Sequence, residues 1–154
     1  ITERDDSNDA LVSNKFSNLN KLPDGAVIGT SSLRRKSQLA HFYPNLIIKN
    51  LRGNLDTRLR KLDDGEYDAI ILAVAGLKRL GLKERIAQVI PHSVMLPAIA
   101  QGAIGIETRF GDQDTLQWIQ HLKHAMVCQY QFQPCRRALC GPALLIHHHQ
   151  RCLS

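Results

Sequence analysis

The chain has 154 residues, 44% of them hydrophobic, and a formal charge of +6, which suits one medium domain or a domain with a fragment of another. Its apolar runs fall short of the ~18 residues a membrane span requires, and its start does not read as a signal peptide, so a soluble chain is expected. Up to Asp114 there are 16 Lys/Arg against 14 Asp/Glu, and aromatics make up only 5%, so neither charge nor stacking favours a nucleic-acid partner.

The chain opens with a charged stretch, Thr2-Glu3-Arg4-Asp5-Asp6, a short apolar Ala10-Leu11-Val12 and a polar loop ending in the turn Leu22-Pro23-Asp24-Gly25. A first strand is predicted over Ala26–Ile28. The helix after it should start near Ser31 or Ser32, turn Leu33 and Leu39 inward, and end at Tyr43-Pro44. A second strand is predicted over Leu46–Lys49 and a helix over about Asp56–Leu62, with Leu55, Leu59 and Leu62 on one face. Asp63-Asp64-Gly65 closes that helix. Ala69–Leu72 is a continuous apolar run, as expected of a strand buried on both faces. A short helix with Leu77 and Leu80, stopped by Gly81, and another over Lys83–Val89 should follow. Three strand–helix units within about 65 residues imply an α/β fold with a doubly wound, mostly parallel sheet.

Two strand-to-helix turns in this series share one plan. Val27-Ile28 leads through Gly29-Thr30-Ser31-Ser32 to Arg34 and Arg35, and Leu46-Ile47-Ile48 leads through Leu51-Arg52-Gly53-Asn54 to Arg58. A helix start leaves backbone N–H groups unpaired, and arginine there opposes the macrodipole unless an anion lies between. Both turns fall at the carboxyl edge of a parallel sheet, where such folds bind ligands. Solvated surface arginines are the plainer reading. Four of them on two equivalent turns favour a pocket for a ligand with several carboxylates or phosphates.

Met95–Arg109, with Pro97, Gly102 and Gly105, suggests a hinge leading into a strand over Ala103–Glu107. A helix from Asp112 should carry Leu116, Ile119 and Leu122. After His124 the periodicity fails, and from Thr115 onward there are 4 Lys/Arg and no acidic residue. Cys128, Cys135, Cys140 and Cys152 lie in this tail with His147, His148 and His149; their spacing does not match zinc modules, and no metal is expected. No phosphate-binding glycine fingerprint or nucleophile elbow occurs. His41 and His92 read as surface residues. Asp9, Asp56 and Glu107 are candidate carboxylates that no spacing pairs.

GTSSLRRKSQL, LRGNLDTRLRKLDDGEYDAIILAVAGLKRLG and LPAIAQGAIGIETR, in that order, resemble the porphobilinogen deaminase (hydroxymethylbilane synthase) family over about residues 1–123. The resemblance implies a three-domain transferase of tetrapyrrole and haem biosynthesis, whose first two domains are like periplasmic binding proteins. It condenses four porphobilinogen units into hydroxymethylbilane with release of ammonia, on a covalent dipyrromethane cofactor. Residues matching family positions that bind cofactor and substrate are Thr30, Ser32, Arg34, Arg35, Arg52, Gly53, Asn54, Arg58 and Gln101. The resemblance further implies a hinge and lead-in at 1–25, domain two at 26–97, a return strand and helix of domain one at 98–123, and a non-matching tail at 124–154. A monomer in the cytoplasm is expected, or in the plastid of a photosynthetic eukaryote, with porphobilinogen and its oligopyrrole products as partners.

The family's catalytic aspartate, in H-S-x-K-D-x-P, would precede Ile1, and the tail lacks the G-G-C-like motif of the cofactor cysteine. No catalytic residue is therefore assigned in this chain, and the chain alone is expected not to turn over porphobilinogen. A frameshifted reading of the gene or a divergent tail would each account for residues beyond 124. The alternative function is a non-catalytic module that kept the polyanion pocket.

Overall fold

A five-residue apolar run, Ala69–Ala73, has no polar face to show to solvent, and the fold is arranged to cover it on both sides. The structure, a computed structural model, describes residues 2–122. In chain order the elements are β1 (Asp9–Val12), β2 (Val27–Gly29), α1 (Leu33–Phe42), β3 (Ile47–Lys49), α2 (Leu55–Asp63), β4 (Ala69–Ala73), α3 (Val74–Arg79), β5 (Gln88–Ile90) and α4 (Gln113–Ile119). Short 3-10 turns occupy Leu19–Lys21, Lys83–Arg85 and Gln120–Leu122.

The strands form one sheet in the order β3-β2-β4-β1-β5. β2 runs parallel to β3 and β4, whereas β1 runs antiparallel to both its neighbours, β4 and β5. The sheet is thus mostly parallel, as the strand–helix repeats predict, with one reversed strand inserted near its middle.

Side chains alternate across it, as the two-residue period of a strand requires. Ala10, Val12, Ile70 and Leu72 pack with Leu59 and Leu62 of α2 and Leu77 of α3 on one face. Leu11, Ile28, Ala69 and Ile71 pack with Leu39 of α1, Leu19, Ile90 and Met95 on the other. Both faces are covered, as in a doubly wound fold.

Local chemistry sets the helix ends. Ser32 caps α1 by accepting from the Arg35 N–H, and Asn54 caps α2 by accepting from the Thr57 N–H. Gly65 (φ 79°) and Gly81 (φ 71°) end α2 and α3 in the left-handed region that a side chain disfavours. At α3 the Leu82 N–H reaches the Leu77 carbonyl and the Gly81 N–H that of Lys78, closing a Schellman motif.

Several sequence expectations are corrected. Leu33 is 82% exposed, not inward, because six residues place it about 120° around the helix from Leu39. Leu80 is 59% exposed as the C-cap of α3. The helix expected over Lys83–Val89 is only one 3-10 turn; Gln88–Ile90 instead pairs with Asp9–Leu11 as β5, sheet pairing overriding local preference. Residues 9–12, in the lead-in, form β1 and pair with β4 and β5. Ala103–Glu107 forms no strand. The Thr2 and Asp5 N–H groups donate to the Ile104 and Gly102 carbonyls, and among the described residues this pairing goes no further. The tail's cysteines and three histidines lie outside the described residues.

Leu39 is the one fully buried side chain of α1. Leu39→Ala should therefore lower stability by about 2–5 kcal/mol, read as a fall in the urea midpoint with little change in m-value.

Candidate anion-binding site

The parallel strands β2, β3 and β4 all end at one edge of the sheet, and α1, α2 and α3 begin there. Because β1 is reversed, its first residue, Asp9, arrives at the same edge, opposite Ala73 and Ile90. Asp9 has no exposed surface. A buried carboxylate must be met by cations or donors, and the arginines of the first turn of α1 meet it. Arg35 donates to Oδ1 through Nε (3.0 Å) and Nη2 (2.7 Å), and through Nη1 to the Ile71 carbonyl (3.1 Å). Gln101 Nε2 donates to the same Oδ1 (2.8 Å) and to the Ser7 carbonyl (2.7 Å). Oδ2 lies 2.7 Å from Arg34 Nη1, an ion-pair distance without hydrogen-bond alignment, so Oδ2 accepts no hydrogen bond among the described residues.

Arg34 is held from two more sides. Its Nη2 donates to Gln101 Oε1 (3.1 Å), and its Nη1 donates to the Leu96 carbonyl. Its side chain keeps 24% of its surface exposed, against 11% for Arg35. Burial pushes the pKa of Arg35 below the ordinary arginine value; Asp9 opposes this, while the like charges of Arg34 and Arg58 add to it. The second turn follows β3, which runs parallel beside β2, so it opens at the same edge of the sheet.

In that turn, Gly53 has φ 120°, and a Cβ there would meet the Thr57 side chain at 2.8 Å. Gly53 is thus fixed by both backbone and space. Its carbonyl accepts from Arg58 Nε (2.9 Å), which orients a half-buried guanidinium. Arg52 stands exposed, and no ion pair holds it among the described residues. Thr30 is buried; its N–H donates to the Lys49 carbonyl (3.0 Å) and its Oγ1 accepts from the Ser32 N–H (3.3 Å), tying the two turns together.

The predicted residues therefore divide. Arg34, Arg35 and Gln101 meet at Asp9. Thr30, Ser32, Gly53 and Asn54 shape the turns, and Arg52 and Arg58 project from the second one. Asp9 emerges as the organising carboxylate, its partners invisible without the sheet register. The anion that sequence reasoning placed between the arginines is in part the chain's own.

Arg79, at the end of α3, is a further cation that sequence reasoning missed; its Nη2 donates to the Gly102 carbonyl (2.7 Å), next to Gln101. The third strand-to-helix turn was the available signal. Asp56, Glu107, His41 and His92 are exposed and join no such cluster. A concavity of about 510 Å³ near Ile106, Leu116 and Leu122 is lined by no charged side chain and offers no recognition of an anion. Among the described residues, no group of three His, Cys, Asp or Glu could hold a metal ion, and no helix is long and apolar enough to cross a membrane.

Arg34 and Arg35 around one carboxylate, with Arg58 on the next turn, leave an excess of positive charge at an edge rich in helix starts. Such an arrangement suits a polycarboxylate. Residues 1–117 match the family model described as "Porphobilinogen deaminase, dipyromethane cofactor binding domain". The chain belongs to the porphobilinogen deaminase family.

A porphobilinogen deaminase of Nitrosomonas europaea is 59% identical over 125 residues, covering 81% of this chain and 41% of that protein. The chain thus spans about two-fifths of the length of this curated relative. Among solved structures, a putative lipoprotein of Actinomyces odontolyticus aligns over 78% of this chain and 59% of its own at 18% identity, with a TM-score of 0.48. An ArgBP mutant from T. maritima aligns over 79% and 52% at 14% identity, with a TM-score of 0.37.

Next to the site, Asp6 accepts from the Asn8 N–H (2.9 Å) and pairs with Lys78 Nζ (3.0 Å). The Asn8 backbone contact holds its pKa below the ordinary aspartate value; burial opposes this, and the Lys78 and Asn8 side chains add to the lowering. Its contribution to stability is present above the unfolded-state pKa of about 4 and is lost as pH falls through the lower folded-state value. Asp6→Asn should lower the urea midpoint at pH 7, and the gap from wild type should close in acid.

Proposed function

We propose that this chain supplies the cofactor- and substrate-carboxylate-binding part of a hydroxymethylbilane synthase, the transferase that joins four porphobilinogen units with release of ammonia. The observation that carries this reading is the placement of two arginine-bearing helix starts at one edge of the sheet, Arg34 and Arg35 on α1 and Arg58 on α2, with Arg52 exposed on the second turn. Pyrroles bearing acetate and propionate groups present several carboxylates at once. A planar guanidinium meets each with two parallel hydrogen bonds. The dipyrromethane group, when bound, supplies the primer on which the pyrrole chain grows.

In this reading Arg34, Arg52 and Arg58 bind carboxylates directly. The backbone of Thr30, Ser32, Gly53 and Asn54 orients them, and Gln101 reaches in from the return segment. Residues 26–97, with β1, are the binding domain, and 98–123 are the return towards a neighbouring domain. A monomer in the cytoplasm acting on small molecules, with no nucleic-acid or membrane partner, fits the near balance of charge up to Asp114.

The test is calorimetric titration of the purified chain with porphobilinogen. Arg52→Ala and Arg58→Ala should each weaken binding about tenfold, or about 1.4 kcal/mol, more strongly at low salt than at high. Binding that neither substitution alters would overturn the assignment.

A further inference from the structure

We propose that Asp9 is the positioning residue of the anion site: it anchors Arg35 through Nε and Nη2 and so fixes Arg34 with its exposed edge towards the ligand. The inference rests on the carboxylate-binding reading and divides labour within it. All three nitrogens of the Arg35 guanidinium already have partners, Nε and Nη2 on Asp9 Oδ1 and Nη1 on the Ile71 carbonyl. Arg35 cannot turn to an external carboxylate without leaving a buried charge behind it, so it belongs to the scaffold.

Arg34 is different. Oδ2 of Asp9 attracts it without a hydrogen bond, and the Gln101 and Leu96 oxygens steady its nitrogens from the side. Of the two guanidiniums it alone retains appreciable exposed surface. A carboxylate with one oxygen saturated by Arg35 and Gln101 and the other open sets where Arg34 lies and still leaves it able to bind. Lys78, Asp5 and Asp6 pair among themselves, at 3.0 and 3.9 Å, and do not compete for Arg34.

Asp9→Asn alone would strand the Arg35 charge and unfold the chain, so the informative variant is Asp9→Asn with Arg35→Gln, which removes the buried pair together. Circular dichroism first establishes that it folds. Porphobilinogen titrations are then run with and without Arg34→Ala. On the wild-type background Arg34→Ala should weaken binding about tenfold; on the paired background it should cause no further loss, because Arg34 is no longer held in place. A purely structural Asp9 would leave the Arg34→Ala effect at full size on both backgrounds, and that result overturns the proposal.

Exchange of the Arg34 Nη–H groups, followed by NMR without ligand, separates the two readings. It should be slower than that of Arg52 in the wild type and equal to it in the paired variant. If the wild-type chain does not bind porphobilinogen, the carboxylate-binding function fails, and Asp9's role is decided by this exchange alone. Equal protection of Arg34 in both backgrounds refutes it.

Discussion

A carboxylate with no exposed surface is tolerated only where its charge is met, and at Asp9 two guanidiniums and an amide meet it. The three groups come from distant parts of the chain: Asp9 from β1, Arg34 and Arg35 from the first turn of α1, and Gln101 from beyond β5. Removing one partner of such a buried pair typically costs about 3–5 kcal/mol, a large share of a small domain's stability. Much of the local architecture follows from that requirement. The reversal of β1 brings Asp9 to the carboxyl edge; a parallel β1 would carry it to the opposite edge, away from every arginine of the site.

The same requirement explains how a cationic site survives folding without a ligand. Arg34, Arg35 and Arg58 lie close enough to disturb one another, and burial already opposes the charge on Arg35. One internal carboxylate lowers that repulsion without cancelling it. The remainder is carried by Arg52 and Arg58, on a turn whose shape Gly53 and Asn54 dictate. Under the proposed function, cations spread along two turns would favour a ligand with several carboxylates over a single anion.

The fold was legible where chemistry was local. The Ser32 and Asn54 caps, the Gly65 and Gly81 stops and the apolar run of β4 all announce themselves within a few residues. So did the arginines, because they break the expected charge pattern of a helix start. β1 and β5 were missed because each is short, with polar ends, and owes its conformation to a partner 60 or more residues away. Leu33 misled because the helix had its start right and its facing wrong. The role of Asp9 required the register. In the sequence it is one of several carboxylates in a charged lead-in.

The placement of β1 bears on how the chain is made. Among the described strands β1 is synthesised before the others of its sheet, yet it pairs with β4 and β5, the two furthest along the chain. At about 5–20 residues per second, several seconds separate Leu11 from the strand segments that bury it. During that time Asp9 is hydrated and its arginines, though synthesised earlier than β4, have no sheet edge to hold them. Closing so long a loop around a central strand is entropically slow, and the sheet can be completed only when β5 emerges. Within this sheet β5 therefore locks in β1, and a ribosome that pauses before Ile90 holds a nascent chain in which β1 has one uncovered edge.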